Sequence, residues 1–188
     1  MGAVDDRVAD AMRRAARKNF LPPDQRPSAG ADRPLPLSHG QTNSQPSTVA
    51  EMLRLLDVPE GASALDVGAG SGWTTVLLAH LVGPSGSVLG LELVPELVDF
   101  GGANVAAAGV PWARVEAAEA GALGRPAQAP FDRILVSAMA RELPDELVAQ
   151  LADPGVLVIP VAGRMLRVTR GGGVEVRRLG YYRFVPLR

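Results

Sequence analysis

A glycine-rich loop is one candidate ligand-binding motif of the sequence. Residues 65–75 read Leu-Asp-Val-Gly-Ala-Gly-Ser-Gly-Trp-Thr-Thr, with glycine at Gly68, Gly70 and Gly72 and an acid at Asp66. Glycine lets a backbone turn sharply and approach a ligand without an intervening Cβ. The spacing is Gly-x-Gly-x-Gly, whereas dinucleotide-binding loops have Gly-x-Gly-x-x-Gly and hold pyrophosphate at a helix N-terminus. The loop therefore predicts a ligand that approaches the backbone closely.

The carboxylate of Asp66 indicates the class of ligand that the glycine-rich loop binds. A carboxylate there would repel phosphate but could receive an ammonium group, so the loop fits the amino-acid part of S-adenosylmethionine. A second acid, Glu92, closes the next predicted strand, where a carboxylate can accept the ribose hydroxyls of an adenosine-bearing ligand. The predicted cofactor set comprises the three glycines, both acids and the neighbouring Ala69 and Leu93.

A proline-rich stretch, residues 21–46, precedes these motifs and contains the polar run Ser-His-Gly-Gln-Thr-Asn-Ser-Gln at 38–45. Proline at this density excludes regular helix and central strand. Long loops inside compact domains are often functional, and a simple tether would not need so dense a polar cluster. We therefore interpret the stretch as a functional loop.

The remaining elements must position these two loops. Short apolar runs alternate with helical patterns, which predicts βαβ units, a mostly parallel sheet and an α/β fold of the doubly wound, Rossmann-like class. Gly171–Gly173 separates two further runs, a hairpin pattern that predicts antiparallel strands at the C-terminal edge. The predicted strands are 64–67, 88–92, 113–116, 131–136, 156–161, 165–169 and 174–179. The predicted helices are 5–18, one beginning near Val49 with Thr48 and Glu51 in capping-box spacing, 74–82, one beginning at Pro95, and 144–151.

Length and composition narrow the class of protein. A chain of 188 residues predicts one domain, divided into an N-terminal helix and substrate loop (1–48), a cofactor-binding core (49–161) and a C-terminal hairpin (162–188). The 19 basic and 20 acidic residues nearly balance, so no nucleic-acid or membrane partner is expected. Cysteine is absent and only two histidines occur, so no metal site is expected. The polar N-terminus predicts a cytoplasmic protein.

The chain resembles the protein-L-isoaspartate O-methyltransferases along most of its length. Residues 34–46 read P-L-P-L-S-H-G-Q-T-N-S-Q-P and are similar to the family segment P-L-P-I-G-x-G-Q-T-I-S-Q-P. Residues 129–134, A-P-F-D-R-I, resemble the family's A-P-Y-D-x-I. Further similar segments are 142–144, 158–161 and 183–187.

The resemblance implies transfer of a methyl group from S-adenosylmethionine to the free carboxylate of isoaspartyl residues in damaged proteins or peptides. The methyl ester then collapses to a succinimide, which starts repair. By the same resemblance Thr42 and Ser44 are the catalytic residues, and Gln41, Asn43 and Gln45 contact the substrate. The enzyme is expected to act as a monomer.

The sequence departs from the family pattern in three places. Asn43 replaces the usual isoleucine, and both ends of the chain are short. The family's Gly-Asp-Gly, whose acid receives the adenine amino group, corresponds to Glu119, Ala120 and Gly121. These three residues complete the predicted cofactor set, with Glu119 as the substitute acid.

Other functions remain open on the sequence. Asn43 and the short ends also suit a carboxyl methyltransferase dedicated to an aspartate of one peptide, as in natural-product tailoring. The altered adenine position also suits a binding protein that has lost catalysis. A nucleotide-dependent oxidoreductase ranks last, because the dinucleotide spacing is absent.

Overall fold

Helices and strands alternate along the part of the chain that the computed structural model describes, residues 6–119 and 121–187. The α-helices are α1 (Arg7–Arg14), α2 (Pro46–Leu56), α3 (Trp73–Val82), α4 (Pro95–Ala107) and α5 (Asp145–Ala149). The strands are β1 (Leu35–Pro36), β2 (Thr42–Asn43), β3 (Ser63–Val67), β4 (Ser87–Glu92), β5 (Ala113–Ala117), β6 (Phe131–Val136), β7 (Leu151–Val161), β8 (Arg164–Arg170) and β9 (Val174–Tyr181).

The seven longer strands form one sheet in the order β5-β4-β3-β6-β7-β8-β9. Strands β3 to β7 pair in parallel, whereas β8 and β9 continue the sheet as an antiparallel edge. This arrangement confirms the predicted fold class. Its central strands β3 and β6 are apolar along most of their length because parallel strands are buried on both faces.

Two apolar clusters hold the sheet between its covering layers. One lies between the sheet and helices α1 to α4, with Leu77 and Leu135 fully buried at its centre. The other lies on the opposite face, where Leu147 of α5 and Leu123 pack against Ile134 and Leu157. The helical layer positions the loops that follow β3 and β4.

The N-terminal prediction needs two corrections. The helix predicted over 5–18 is α1 followed by a separate 3₁₀ turn, Arg17–Phe20, and its first residue, Asp5, lies outside the described residues. The capping box at Thr48 and Glu51 is wrong, because α2 already begins at Pro46.

Helix α2 is capped from a distance. The Asp32 Oδ1 atom accepts the backbone N–H of Ser47 at 2.9 Å, and its Oδ2 accepts the hydroxyl of the same residue at 2.8 Å. The Asp32 side chain, from the proline-rich stretch, therefore caps the N-terminus of α2, a role that the local sequence pattern predicts for Thr48. Part of that stretch is also paired, since β1 and β2 form a small antiparallel ladder.

The bounds of four more elements differ from the prediction. Helix α5 is shorter than 144–151, and strand β7 begins at Leu151 because its first residues pair with β6 and β8. The C-terminal hairpin is longer than predicted at both strands. No helix within the described ranges is both long and apolar enough to cross a membrane.

Candidate active site

One large cavity, of about 860 Å³, opens at the carboxyl ends of the parallel strands. Its wall includes residues that follow β3, β4, β5 and β6, which is where open α/β sheets bind ligands. The loop containing β2 and the final segment 185–187 close it from outside the core. Three separate parts of the chain thus meet at one edge of the sheet.

The glycine loop lines the floor of this cavity with Gly68, Ala69 and Gly70. The backbone N–H groups of Gly68 and Ala69 both donate to the Leu91 carbonyl, at 2.9 and 3.0 Å. The N–H of Gly70 donates to a Glu92 carboxylate oxygen at 2.8 Å. Because these backbone N–H groups already have protein acceptors, they are not free to bind the oxygens of a pyrophosphate. The geometry of the loop therefore disfavours a dinucleotide-binding site.

Gly72 has a different role from the one predicted. It does not line the cavity; it lies at the start of α3 with φ +78°, and a Cβ there would lie 2.7 Å from the Gly101 carbonyl oxygen of α4. This glycine is required because α4 packs directly onto the loop, not because a ligand approaches it.

The Glu92 carboxylate lies in the cavity wall and joins the two loops that follow β3 and β4. Its Oε2 accepts from Gly70, and its Oε1 accepts the backbone N–H groups of Leu93 and Val94 at 2.8 and 3.0 Å. A carboxylate has about four lone-pair sites, so one remains for a ligand hydroxyl. Leu93, next to it, is half exposed and also lines the cavity.

Asp66 does not reach the cavity, which corrects the expectation that it receives a ligand ammonium group directly. Its side chain is 0% exposed, and its Oδ2 accepts the hydroxyls of Thr74 and Thr75 at 2.6 and 2.7 Å. Burial, partly offset by these two hydrogen bonds and reinforced by the Glu92 charge, raises the pKa of Asp66 to about 6. The residue anchors the first turn of α3 beneath the loop.

The loop containing β2 brings Gln41, Thr42, Asn43 and Ser44 to the cavity. Gln45, the fifth predicted residue of this loop, is turned away from it. Its amide donates to Asp32 and to the Ser47 hydroxyl, both at 3.0 Å. Gln45 thus belongs to the cap of α2, and its predicted contact with the substrate is not supported.

Asn43 is 4% exposed and connects two loops. Its Oδ1 accepts from the Nε of Arg17 at 2.7 Å, and its Nδ2 donates to the Ser71 Oγ at 3.0 Å. Arg17 is itself buried and donates to the carbonyls of Asn43 and Ser44. Desolvation lowers the pKa of Arg17 to about 10, which still leaves it protonated at neutral pH.

The structure describes two of the three residues that correspond to the family's Gly-Asp-Gly segment, whose aspartate receives the adenine amino group. Glu119 and Gly121 line the cavity, whereas Ala120 lies outside the described residues. The Glu119 carboxylate pairs with the guanidinium of Arg125 at 2.8 Å and is more than half exposed. Glu119 is therefore near the cavity, with one oxygen already engaged.

Several cavity residues were missed by sequence reasoning. Among them are Ser71, Thr74, Ser137, Arg141 and the segment 185–187. Ser137 follows β6 directly, so the rule that ligands bind beyond the carboxyl ends of parallel strands could have found it. The others carry no local signal, since their proximity depends on how the loops pack. No cluster of three or more side chains suited to a metal ion occurs within 6–119 and 121–187.

The family model described as Protein-L-isoaspartate(D-aspartate) O-methyltransferase (PCMT) matches residues 2–188. This chain belongs to that family. A protein named Protein-L-isoaspartate O-methyltransferase from Methanothrix thermoacetophila is 43% identical, with 98% of this chain and 89% of the relative covered. A protein of the same name from Aeropyrum pernix is also 43% identical, with 96% and 72% covered.

A solved PCMT structure has the same fold. It comes from Plasmodium falciparum, is described as a complex with S-adenosyl-L-homocysteine, and superposes with a TM-score of 0.86 at 30% identity over 98% of this chain and 91% of that one. The chain is accordingly an S-adenosylmethionine-dependent methyltransferase of the PCMT family.

The cavity of this chain fits that cofactor. The Glu92 carboxylate lies in its wall and the Asp66 carboxylate is buried beneath the glycine loop, and neither forms an ion pair with a cationic side chain of the described residues. Their negative charge favours a cationic ligand, such as one carrying an ammonium and a sulfonium group. The free lone pair of Glu92 suits a ribose hydroxyl.

Proposed function

We propose that this enzyme methylates the free carboxylate of isoaspartyl residues in damaged proteins and peptides, which starts their repair through a succinimide. The observation that carries the proposal is the cavity itself. It unites the hydroxyl-bearing loop at Thr42 and Ser44 with the glycine loop and Glu92 in one space of about 860 Å³.

The proposed cofactor residues are those of the predicted set that line the cavity. They are Gly68, Ala69, Gly70, Glu92, Leu93, Glu119 and Gly121. When bound, S-adenosylmethionine supplies an activated methyl group and leaves as S-adenosylhomocysteine.

The chain's own residues act mainly by positioning. A carboxylate is ionised at neutral pH, with a pKa near 4, so no general base is needed to make it a nucleophile. The hydroxyls of Thr42 and Ser44 are proposed to hold its oxygens without introducing a competing base. The loop containing β2 covers the cavity and limits the water that would otherwise hydrate the carboxylate.

The orientation of Ser44 is supported by its backbone. The Ser44 carbonyl accepts from the Arg17 guanidinium at 2.9 Å, as do the carbonyls of Asn43 and Arg33. A buried cation thus holds the backbone at Asn43 and Ser44, next to the proposed catalytic hydroxyls. In-line transfer depends on such fixed geometry.

A comparison of two peptides tests the proposal. One contains an isoaspartyl residue, and its twin contains the normal aspartyl linkage at the same position. We expect methyl transfer to the first and little to the second. Preference for the aspartyl twin would instead favour an enzyme dedicated to an aspartate of one peptide.

We further propose a monomer that works in the cytoplasm without a nucleic-acid or membrane partner. Light scattering coupled to size-exclusion chromatography tests the oligomeric state.

A further inference from the structure

Ser71 lines the cavity, and the proton of its hydroxyl group has no protein acceptor among the described residues. The residue is 3% exposed and lines the cavity wall between Gly70 and Gly72. Its Oγ accepts a hydrogen bond from Asn43 Nδ2 at 3.0 Å. Within the described ranges no hydrogen bond is donated by this hydroxyl, so its proton is available to a ligand.

The direction of that hydroxyl is set by a short chain of hydrogen bonds. The Arg17 Nε–H donates to Asn43 Oδ1 at 2.7 Å, which fixes the amide with its NH₂ toward Ser71. Because the amide NH₂ can only donate, Ser71 Oγ must act as acceptor toward Asn43. Hydrogen bonds in such chains polarise one another, and the first donor here is a cation.

The backbone on either side holds the hydroxyl in place. Asn104 of α4 donates to the Ser71 carbonyl at 2.9 Å. The second Arg17 nitrogen, Nη2, donates to the carbonyl of Asn43 itself at 3.1 Å. Both ends of the Asn43–Ser71 contact are therefore anchored independently of any ligand.

We propose that the Ser71 hydroxyl donates a hydrogen bond to a carboxylate bound in the cavity, and that Asn43, held by Arg17, is the positioning residue that aims it. The inference rests on the cofactor and substrate site proposed above. Two carboxylates could take this place: that of the amino-acid part of the cofactor, and that of the isoaspartyl substrate. Asn43 thus acts on the bound carboxylate through Ser71, which gives a role to the asparagine that stands in place of the family's isoleucine.

Two substitutions separate this role from simple packing. Ser71→Ala removes the donor. Asn43→Asp keeps the size of the side chain and its bond to Arg17, but a carboxylate cannot donate to Ser71. The Ser71 proton would then turn toward position 43 and away from the cavity. A merely structural Asn43 would tolerate this change, because pairing with a buried arginine is retained.

Binding is measured by isothermal titration calorimetry with two ligands, S-adenosylhomocysteine and 5′-methylthioadenosine, which lacks the amino-acid part. If the cofactor carboxylate is the acceptor, both variants weaken S-adenosylhomocysteine binding by about tenfold or more and leave 5′-methylthioadenosine unchanged. If the substrate carboxylate is the acceptor, S-adenosylhomocysteine binding is unchanged and the KM for the isoaspartyl peptide rises by a similar factor.

Other results would overturn the inference. These are unchanged S-adenosylhomocysteine affinity and peptide KM in both variants, or equal weakening of the two calorimetric ligands. If Ser71→Ala weakens binding and Asn43→Asp does not, Asn43 has no positioning role.

The double variant should bind no more weakly than Ser71→Ala alone, and a further loss of affinity would mean that position 43 acts without Ser71. The melting temperature of Asn43→Asp should match or exceed that of the wild type. The calorimetric comparison needs no peptide, so it stands even if the proposed substrate is wrong.

Discussion

At the scale of single residues, the two buried acids of the site differ in what they face. Glu92 borders the cavity and accepts three backbone N–H groups, whereas Asp66 is enclosed and serves α3. Sequence spacing predicted both as ligand contacts, since both end a strand at the same edge of the sheet. Their side-chain directions depend on tertiary packing, which spacing does not report.

Replacing Glu92 by glutamine should weaken cofactor binding. The amide NH₂ would face backbone N–H donors that now meet a carboxylate oxygen, so at least one hydrogen bond is lost and the glycine loop shifts. We expect an affinity loss for S-adenosylhomocysteine of about tenfold or more in calorimetric titration. Glu175→Gln, on the exposed edge strand β9, serves as control and should bind as the wild type does.

Glu119 gives a second prediction at this scale. Its carboxylate, near the cavity and paired with Arg125, is proposed to accept the adenine amino group in place of the family's aspartate. Glu119→Ala should reduce S-adenosylhomocysteine affinity, and Glu119→Gln should retain most of it because an amide oxygen still accepts. Unchanged affinity in the alanine variant would exclude this role.

At the scale of elements, the contact between α4 and the glycine loop shapes the site. A Cβ on Gly101 would lie 2.7 Å from the Gly70 carbonyl oxygen, whereas one on Gly102 would meet nothing within 4 Å. These neighbours on one helix form a matched pair for testing whether the loop depends on close helix packing.

We expect Gly101→Ala to lower the free energy of unfolding by about 1–3 kcal/mol, since the backbone must shift, and to weaken cofactor binding. Gly102→Ala should be neutral or stabilising by up to about 1 kcal/mol, because alanine favours helix. Chemical denaturation of both variants, followed by titration with S-adenosylhomocysteine, provides the measurement. Equal stability of the two variants would refute the packing argument.

The helices, strands and loops differ in how well the sequence alone predicts them. Short apolar runs in the sequence predict strands β3, β4 and β6, because strands that are buried on both faces consist mostly of apolar residues. The local pattern predicts the start of α2 too late, because the residue that caps this helix, Asp32, is distant in the sequence. The sequence predicts a functional role for the loop containing β2, but it does not predict that Gln45 turns away from the cavity or that Arg17 contacts the loop, because both depend on tertiary packing.

At the scale of the whole molecule, Asp66 links stability to pH. Its folded pKa of about 6 lies above the ordinary value of 3.8, so the folded state holds this proton more tightly than the unfolded chain does. The contribution of Asp66 to the free energy of unfolding therefore falls as pH rises from about 4 to about 6. Above that range the loss of stability stays constant.

Asp66→Asn should remove this pH dependence. The wild type is expected to lose on the order of 2–3 kcal/mol of stability from this group between about pH 4 and 6, a slope that the variant lacks. Denaturation midpoints at several pH values measure it. Parallel profiles for the two proteins would show that Asp66 titrates normally.

Methyl transfer to an isoaspartyl peptide by the wild type and by Ser44→Ala, with S-adenosylhomocysteine affinity measured for both, tests the proposed reaction and its site together. We expect activity in the wild type and a large fall in kcat/KM for the variant, with cofactor affinity retained, because Ser44, which lines the cavity, is proposed to contact the substrate and is not among the proposed cofactor residues. An inactive wild type, or a variant as active as the wild type, would contradict the proposal.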